Sequence, residues 1–110
     1  MSKVERINEL LLEEISEAIS KEVGVPGTLI TISEVKCDPD LKKALVRFSV
    51  LPDNLAGTVL RKLKQSTSHL VSIIKKRVKL RKIPHLIWEF DATEREAEKI
   101  EKLINEAIEE

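Results

Sequence analysis

The stretch Asn54–Trp88, NLAGTVLRKLKQSTSHLVSIIKKRVKLRKIPHLIW, decides how this chain folds. Leu55, Val59 and Leu63 recur at helical spacing, which predicts a helix from about Asn54 to Gln65, opened by Pro52-Asp53. Ser66, Thr67 and Ser68 then interrupt the pattern with three hydroxyls, any of which can cap a fresh helix. The next helix places Leu70, Ile73, Ile74 and Val78 inward and Lys75, Lys76 and Lys79 outward. Pro84 closes it. From Leu86 the period changes to two, with Leu86, Trp88 and Phe90 on one side of a strand. Two helices between strands form a connection long enough for a parallel crossover.

Working outward, Ser2-Lys3-Val4-Glu5 fits a capping box. Behind it Ile7, Leu10, Leu11, Ile15, Ala18, Ile19 and Val23 mark one helical face, and Glu9, Glu13, Glu17 and Ser20 the other. Gly24 and Pro26-Gly27 end that helix. Thr28–Lys36 is rich in β-branched residues, with Ile30 and Ile32 opposed to Thr31 and Ser33. Cys37-Asp38-Pro39-Asp40 reads as a turn. Beyond it Ala44, Val46, Phe48 and Val50 alternate with Leu45, Arg47 and Ser49, so the two strands form an antiparallel hairpin. At the other end, Thr93–Glu96 is a second capping box. It opens a helix over about 94–109 with Ala97, Ile100, Ile104, Ala107 and Ile108 on one face. The expected architecture is α+β: one domain over residues 1–110, with a three-stranded mixed sheet, its middle strand at 44–51, and the helices on one sheet face.

Charge is segregated along this order. The formal net charge is zero, yet Asn54–Trp88 holds nine bases and no acid: Arg61, Lys62, Lys64, Lys75, Lys76, Arg77, Lys79, Arg81 and Lys82. Residues 1–53 carry ten acids against seven bases, and residues 89–110 nine against three. Such a distribution presents a cationic surface to a polyanion and keeps the acids at its flanks. A merely solvated helix face would more often interleave Glu with Lys at i,i+4. With Trp88, Phe48 and Phe90 as the only aromatics, recognition by base stacking is limited, and phosphate and shape contacts dominate.

Other chemistries find little support. Asp38 and Asp40 flank Pro39 in a turn, with no histidine or third carboxylate nearby in sequence to build a metal or acid–base site. His69 and His85 lack ligand-pair spacing. Cys37, the single cysteine, excludes an internal disulfide, suits a reducing compartment and lacks a histidine partner for nucleophilic work. No Gly-rich phosphate loop, catalytic signature or membrane-length apolar run is present. The residues themselves therefore lead to a non-catalytic cytoplasmic domain that binds RNA or, alternatively, to a protein–protein adaptor with acidic terminal helices.

Three motifs carry a family likeness. They are Val4-Glu5-Arg6-Ile7-Asn8; Ser33-Glu34-Val35-Lys36-Cys37-Asp38-Pro39-Asp40-Leu41-Lys42-Lys43-Ala44; and Leu80-Arg81-Lys82-Ile83-Pro84-His85-Leu86 followed by Phe90-Asp91. In their order and spacing the chain resembles the ribosome-binding factor A family, best over residues 4–91. The resemblance implies a type II KH-like fold. It also implies binding, without cofactor or metal, to the free or immature small (30S) ribosomal subunit and help with late maturation of 16S rRNA, including its 5′ end, most needed in the cold. A monomer working away from membranes is expected.

On this reading Arg61, Lys62, Lys64, Lys75, Lys76, Lys79, Arg81 and Lys82 neutralise RNA phosphates, and Lys42, Lys43 and Arg47 extend the patch. KH domains that clamp single strands use a GXXG loop. This family is expected to have instead an Ala-X-Gly kink between the central helices, and Ser66, Thr67 and Ser68 stand at those positions without the glycine. A gentler bend is expected there, with Ser68 capping the second helix.

Overall fold

The computed structural model describes residues 1–92. Helix α1 spans Lys3–Glu22. The Ser2 hydroxyl oxygen accepts the Glu5 amide at 3.2 Å, satisfying one of the amides that a helix start leaves unpaired. Ile7, Leu11, Ile15, Ala18 and Ile19 form its buried stripe. Gly27 turns the chain with φ of 77°, a left-handed backbone that costs glycine nothing because it has no Cβ. Thr28 then bonds back to the Val25 carbonyl through both its amide and its hydroxyl.

Strand β1, Leu29–Cys37, pairs antiparallel with β2, Lys43–Leu51. The expected opposition of Ile32 to Thr31 and Ser33 is present, but the alternation then shifts. A bulge falls between Ile32 and Glu34, so Ile32 faces Phe48 while Glu34 faces Arg47. The extra residue, Ser33, returns Val35 and Cys37 to the buried side. Its hydroxyl sits 3.2 Å from the Arg47 carbonyl and 3.0 Å from Asp91. The connecting turn forms where the Asp-Pro-Asp run predicts it, with the Lys42 amide donating to Asp40 at 3.0 Å. The residue that takes the left-handed conformation there is Leu41, at φ 59°.

The chain enters its crossover through a 3₁₀ turn, Asp53–Leu55, and then runs as one helix, α2, over Ala56–Arg77. Two expectations are corrected here. Leu55, and neither Pro52 nor Asp53, occupies the α2 N-cap position. The two helices expected on either side of Ser66-Thr67-Ser68 are one uninterrupted helix, and Ser68 is an interior residue of it. The physical reason lies in Thr67. Its hydroxyl donates to the Leu63 carbonyl at 2.8 Å, within the helix, where a cap would point at free amides.

Strand β3, His85–Phe90, pairs parallel with β2, giving the sheet order β1-β2-β3 with β2 central. This is the α+β, type II KH-like arrangement, with α1 and α2 on one face of a mixed three-stranded sheet. Ala44, Val46, Phe48 and Val50 meet Leu11 and Ile15 of α1 and Val59, Leu63, Leu70 and Ile74 of α2 in one core. Phe48 is fully buried, with its ring centroid 5.9 Å from that of Phe90. A side chain of that size, so enclosed, anchors about 3–5 kcal/mol against truncation to alanine. The expected helix over 94–109 and its capping box lie outside the described residues.

Candidate nucleic-acid interface

Helix α2 separates the bases by flank. Lys64, Ser68, Val71 and Lys75 follow one another at i+4, i+3 and i+4, and Arg61 precedes Lys64 by three, so they share the flank that faces β3. Between that flank and β3 lies an open groove of about 840 Å³. Lys64, Thr67, Ser68 and Val71 form its helical wall, and residues 82–88 form the opposite one. Lys42, from the hairpin turn, stands at its end.

The strand wall has polar backbone to offer. In a parallel ladder, alternate residues bond to the neighbouring strand. The His85 amide reaches Lys42 at 2.9 Å and the Asp91 amide reaches Phe48 at 2.7 Å, so odd-numbered residues face β2. Leu86 and Trp88 therefore direct their amides and carbonyls away from β2, toward the groove. The order β1-β2-β3 leaves β3 at a sheet edge among the described residues.

One hydrogen bond sets how the two walls stand. The buried Trp88 indole donates Nε1–H to the Thr67 hydroxyl at 2.8 Å. That hydroxyl in turn donates a hydrogen bond to the Leu63 carbonyl, so it serves as both acceptor and donor and the middle of α2 is tied to β3. Ser68, exposed one residue on, is left at the groove wall. Sequence reading treated residues 66–68 as a bend and missed this tie. A signal existed: a tryptophan on the inward side of a strand needs an acceptor for its N–H, and Thr67 lies one turn from the buried Leu63.

Of the predicted contacts, Lys42, Lys64 and Lys82 line the groove, and Arg61 and Lys75 continue its helical flank. Lys79 and Arg81 are exposed in the segment between α2 and β3. Lys62 and Lys76 lie at heptad spacing about His69, on the other flank, where the imidazole stands 3.3 Å from Glu22 of α1. None of these bases forms an ion pair among the described residues. Arg77 differs. It reaches Glu14 at 3.1 Å and Glu17 at 2.9 Å, and the hydrogen bond it donates to Glu17 holds its proton still more firmly than usual. Glu17 in turn is kept below the ordinary carboxylate range by hydrogen bonds from Lys21 and Arg77.

Lys43 and Arg47 are not brought to the groove. By strand parity both lie on the open sheet face. There Arg47 is ringed by Glu34 at 3.8 Å, Glu89 at 3.7 Å and Asp91 at 3.7 Å, which oppose its charge. The remaining candidates are structural. Asp38 and Asp40 shape the turn. Cys37 is buried in the core, and that burial raises its thiol pKa. His85 lines the groove beside Lys82. Among the described residues no cluster of His, Cys, Asp and Glu could hold a metal, and no helix is long and apolar enough to cross a membrane.

The family model for ribosome-binding factor A matches residues 3–104. A ribosome-binding factor A from Acetivibrio thermocellus is 36% identical over 109 residues, covering 96% of this chain and 89% of the relative. One from Akkermansia muciniphila is 34% identical over 89 residues, covering 81% and 71%. The crystal structure of ribosome-binding factor A from Thermus thermophilus superposes with a TM-score of 0.71 at 22% identity, over 79% of this chain and 93% of that one. That similarity supports the fold alone, but the family model and the relatives decide membership. By that match, running nearly end to end, this chain belongs to the ribosome-binding factor A family.

Proposed function

We propose that this protein binds the small (30S) ribosomal subunit through the α2–β3 surface and assists late maturation of 16S rRNA, including its 5′ end, without catalysing a reaction. The observation that carries the reading is the set of bases along that surface with no carboxylate partner among the described residues: Lys42, Arg61, Lys64, Lys75, Lys79, Arg81 and Lys82. Lysines held near carboxylates contribute little to a polyanion, whereas unneutralised ones release counterions from phosphate on binding. A continuous α2 stands where the family is expected to hold a glycine kink, so one RNA strand is held along one helix flank, its backbone on the lysines and its bases toward the β3 edge that is open among the described residues. Contacts of this kind position RNA by shape more than by sequence. Stabilising one conformer of the immature RNA matters most in the cold, where escape from misfolded states is slow. The protein works in the cytoplasm as a monomer.

Affinity for purified small subunits measured against salt tests the proposal. Each phosphate contact steepens the dependence by about one unit of slope. Lys64→Gln and Lys82→Gln should each flatten it, and Arg47→Gln should leave it unchanged. A wild-type affinity indifferent to salt would overturn the phosphate surface. The adaptor reading, in which acidic helices dock a basic partner, fits α1 less well, because Glu14, Glu17 and Glu22 are already engaged by Arg77, Lys21 and His69.

A further inference from the structure

Helix α2 carries no Asp or Glu over Ala56–Arg77, and the groove uses only one side of it. At about 100° per residue, Gln65 and Ser72 point directly away from the buried stripe of Val59, Leu63, Leu70 and Ile74. Arg61, Lys64 and Lys75 follow one border of that ridge, and all three are exposed. Lys62, His69 and Lys76 follow the other border and are exposed as well. The outer face of α2 is thus an uncharged polar ridge between two cationic rows. One carboxylate reaches the second row: Glu22 of α1, 3.3 Å from His69.

The spacing of the rows selects a ligand. From Arg61 to Lys75, and from Lys62 to Lys76, each runs about 21 Å along the axis. They lie roughly 110° apart around it, which is about 9 Å at the helix surface. A single strand has one backbone and can follow one row. Two backbones side by side are what a double helix offers. In A-form RNA the minor groove is wide and shallow and displays 2′-hydroxyls, whereas the major groove is too deep and narrow for side chains to read. A helix laid along the minor groove sets its cationic rows on the two phosphate rims and puts Gln65 and Ser72 over the 2′-hydroxyls. The Ser72 hydroxyl donates to the His69 carbonyl at 2.7 Å, which leaves its lone pairs to accept from them. None of the three aromatic rings is exposed, so stacking on unpaired bases is closed to this face.

From this double row we propose that the outer face of α2 binds the minor-groove side of an RNA duplex, with Lys62 and Lys76 on one strand and Arg61, Lys64 and Lys75 on the other. The duplex face stands on the helix alone. A further step rests also on the groove reading above: the preferred site is a junction. A strand leaving a duplex can enter the α2–β3 groove while its helix stays on the ridge, because Lys64 and Lys75 border both. A junction engages the two surfaces at once and so binds more tightly than either part. Lys62 and Lys76, which the groove leaves unused, thereby gain a role.

The test measures the affinity of the full chain for a short oligouridylate, a blunt RNA hairpin duplex, that duplex with an oligouridylate tail, and a DNA duplex of the same sequence. Lys62→Gln with Lys76→Gln should weaken binding of the blunt RNA duplex roughly tenfold and lower its salt slope by about two, leaving oligouridylate within about twofold. Glu22→Gln, which takes the carboxylate out of that row, should tighten duplex binding. Lys36→Gln with Lys43→Gln makes the same change of net charge with exposed lysines of the open sheet face and should leave duplex binding unchanged. The RNA duplex should be preferred to the DNA one, and the tailed duplex should bind most tightly. A duplex affinity indifferent to the loss of Lys62 and Lys76 would overturn the duplex face. So would an equal loss from the sheet-face pair, which belongs to net charge. Equal affinity for the DNA duplex would overturn the minor-groove contact. Lys42→Gln with Lys82→Gln separates the two readings, since it should weaken oligouridylate and spare the blunt duplex. Oligouridylate binding unmoved by that pair would remove the groove reading and the junction but leave the duplex face.

Discussion

Thr67 shows how much one hydroxyl can decide. It accepts from the Trp88 indole and donates to Leu63, so replacing it leaves a buried N–H unpaired. Thr67→Val keeps the shape and should cost about 1–3 kcal/mol in denaturant unfolding, the penalty of an orphaned buried donor. Thr67→Ser should cost much less, because the hydroxyl remains. In a Trp88→Phe background the valine should cost far less than it does alone; equal costs in the two backgrounds would mean that the bond is energetically idle. Neighbouring Ser68 gives the opposite lesson. Sequence reading placed it at a bend where the family is expected to hold glycine, but it lies inside α2. Ser68→Gly should therefore destabilise by roughly 0.5–1 kcal/mol, the cost of glycine in a helix interior. A gain in melting temperature would show strain at that position. Leu41 was illegible for a related reason. Nothing in a leucine announces a φ of 59°; the closure of the hairpin imposes it.

At the scale of elements, most boundaries were readable because period and turn chemistry agreed. The clean alternation of Ala44–Val50 gave β2, and Ser2 with Glu5 gave the start of α1. The bulge at Ser33 was not readable, since Ile32, Val35 and Cys37 mix two parities and only the pairing with β2 shows which residue is extra. Nor was the pairing of helices by Arg77 visible, because Glu14 and Glu17 lie some sixty residues earlier in the chain. That contact has a pH signature. The folded pKa of Glu17 is lowered from its model-compound value of 4.5. Its contribution to stability is therefore fully present above that value and lost as pH falls through the lower folded pKa. Glu17→Gln should reduce stability near neutrality and flatten the acid limb of the stability–pH curve below pH 4.5, measured by urea unfolding. An unchanged acid limb would mean that Glu17 is equally perturbed in the unfolded chain.

Among the described residues, the fold sorts the bases by partner: Lys42, Lys64 and Lys82 line the groove, Lys62 and Lys76 lie on the other flank of α2, Arg77 is absorbed between α1 and α2, and Arg47 is ringed by acids on the open sheet face. A combined Lys64→Glu and Lys82→Glu variant should lose at least tenfold in affinity for small subunits at moderate salt, since each reversal both removes a contact and adds repulsion. Arg77→Gln should alter stability and leave binding within about twofold, because its charge is already matched by carboxylates. Sedimentation with purified subunits reads both. Comparable losses in the two would erase the distinction between groove bases and structural bases.

The sequence by itself determined the order of strands and the place of α1 and of the helical crossover, the mixed sheet with β2 in the centre, the inward stripes of α1 and α2 and the family. Each of these depends on local periodicity or on motifs contiguous in the chain. Only the tertiary structure decided that α2 is continuous, that Ser33 resets the faces of β1, and that Arg47 and Arg77 are occupied while Lys42 joins Lys64 and Lys82. The physical reason is common to all of them. Whether a hydroxyl caps, kinks or bridges, and whether a charge is free or matched, depends on what lies across space within a few ångströms, and packing alone brings those partners together.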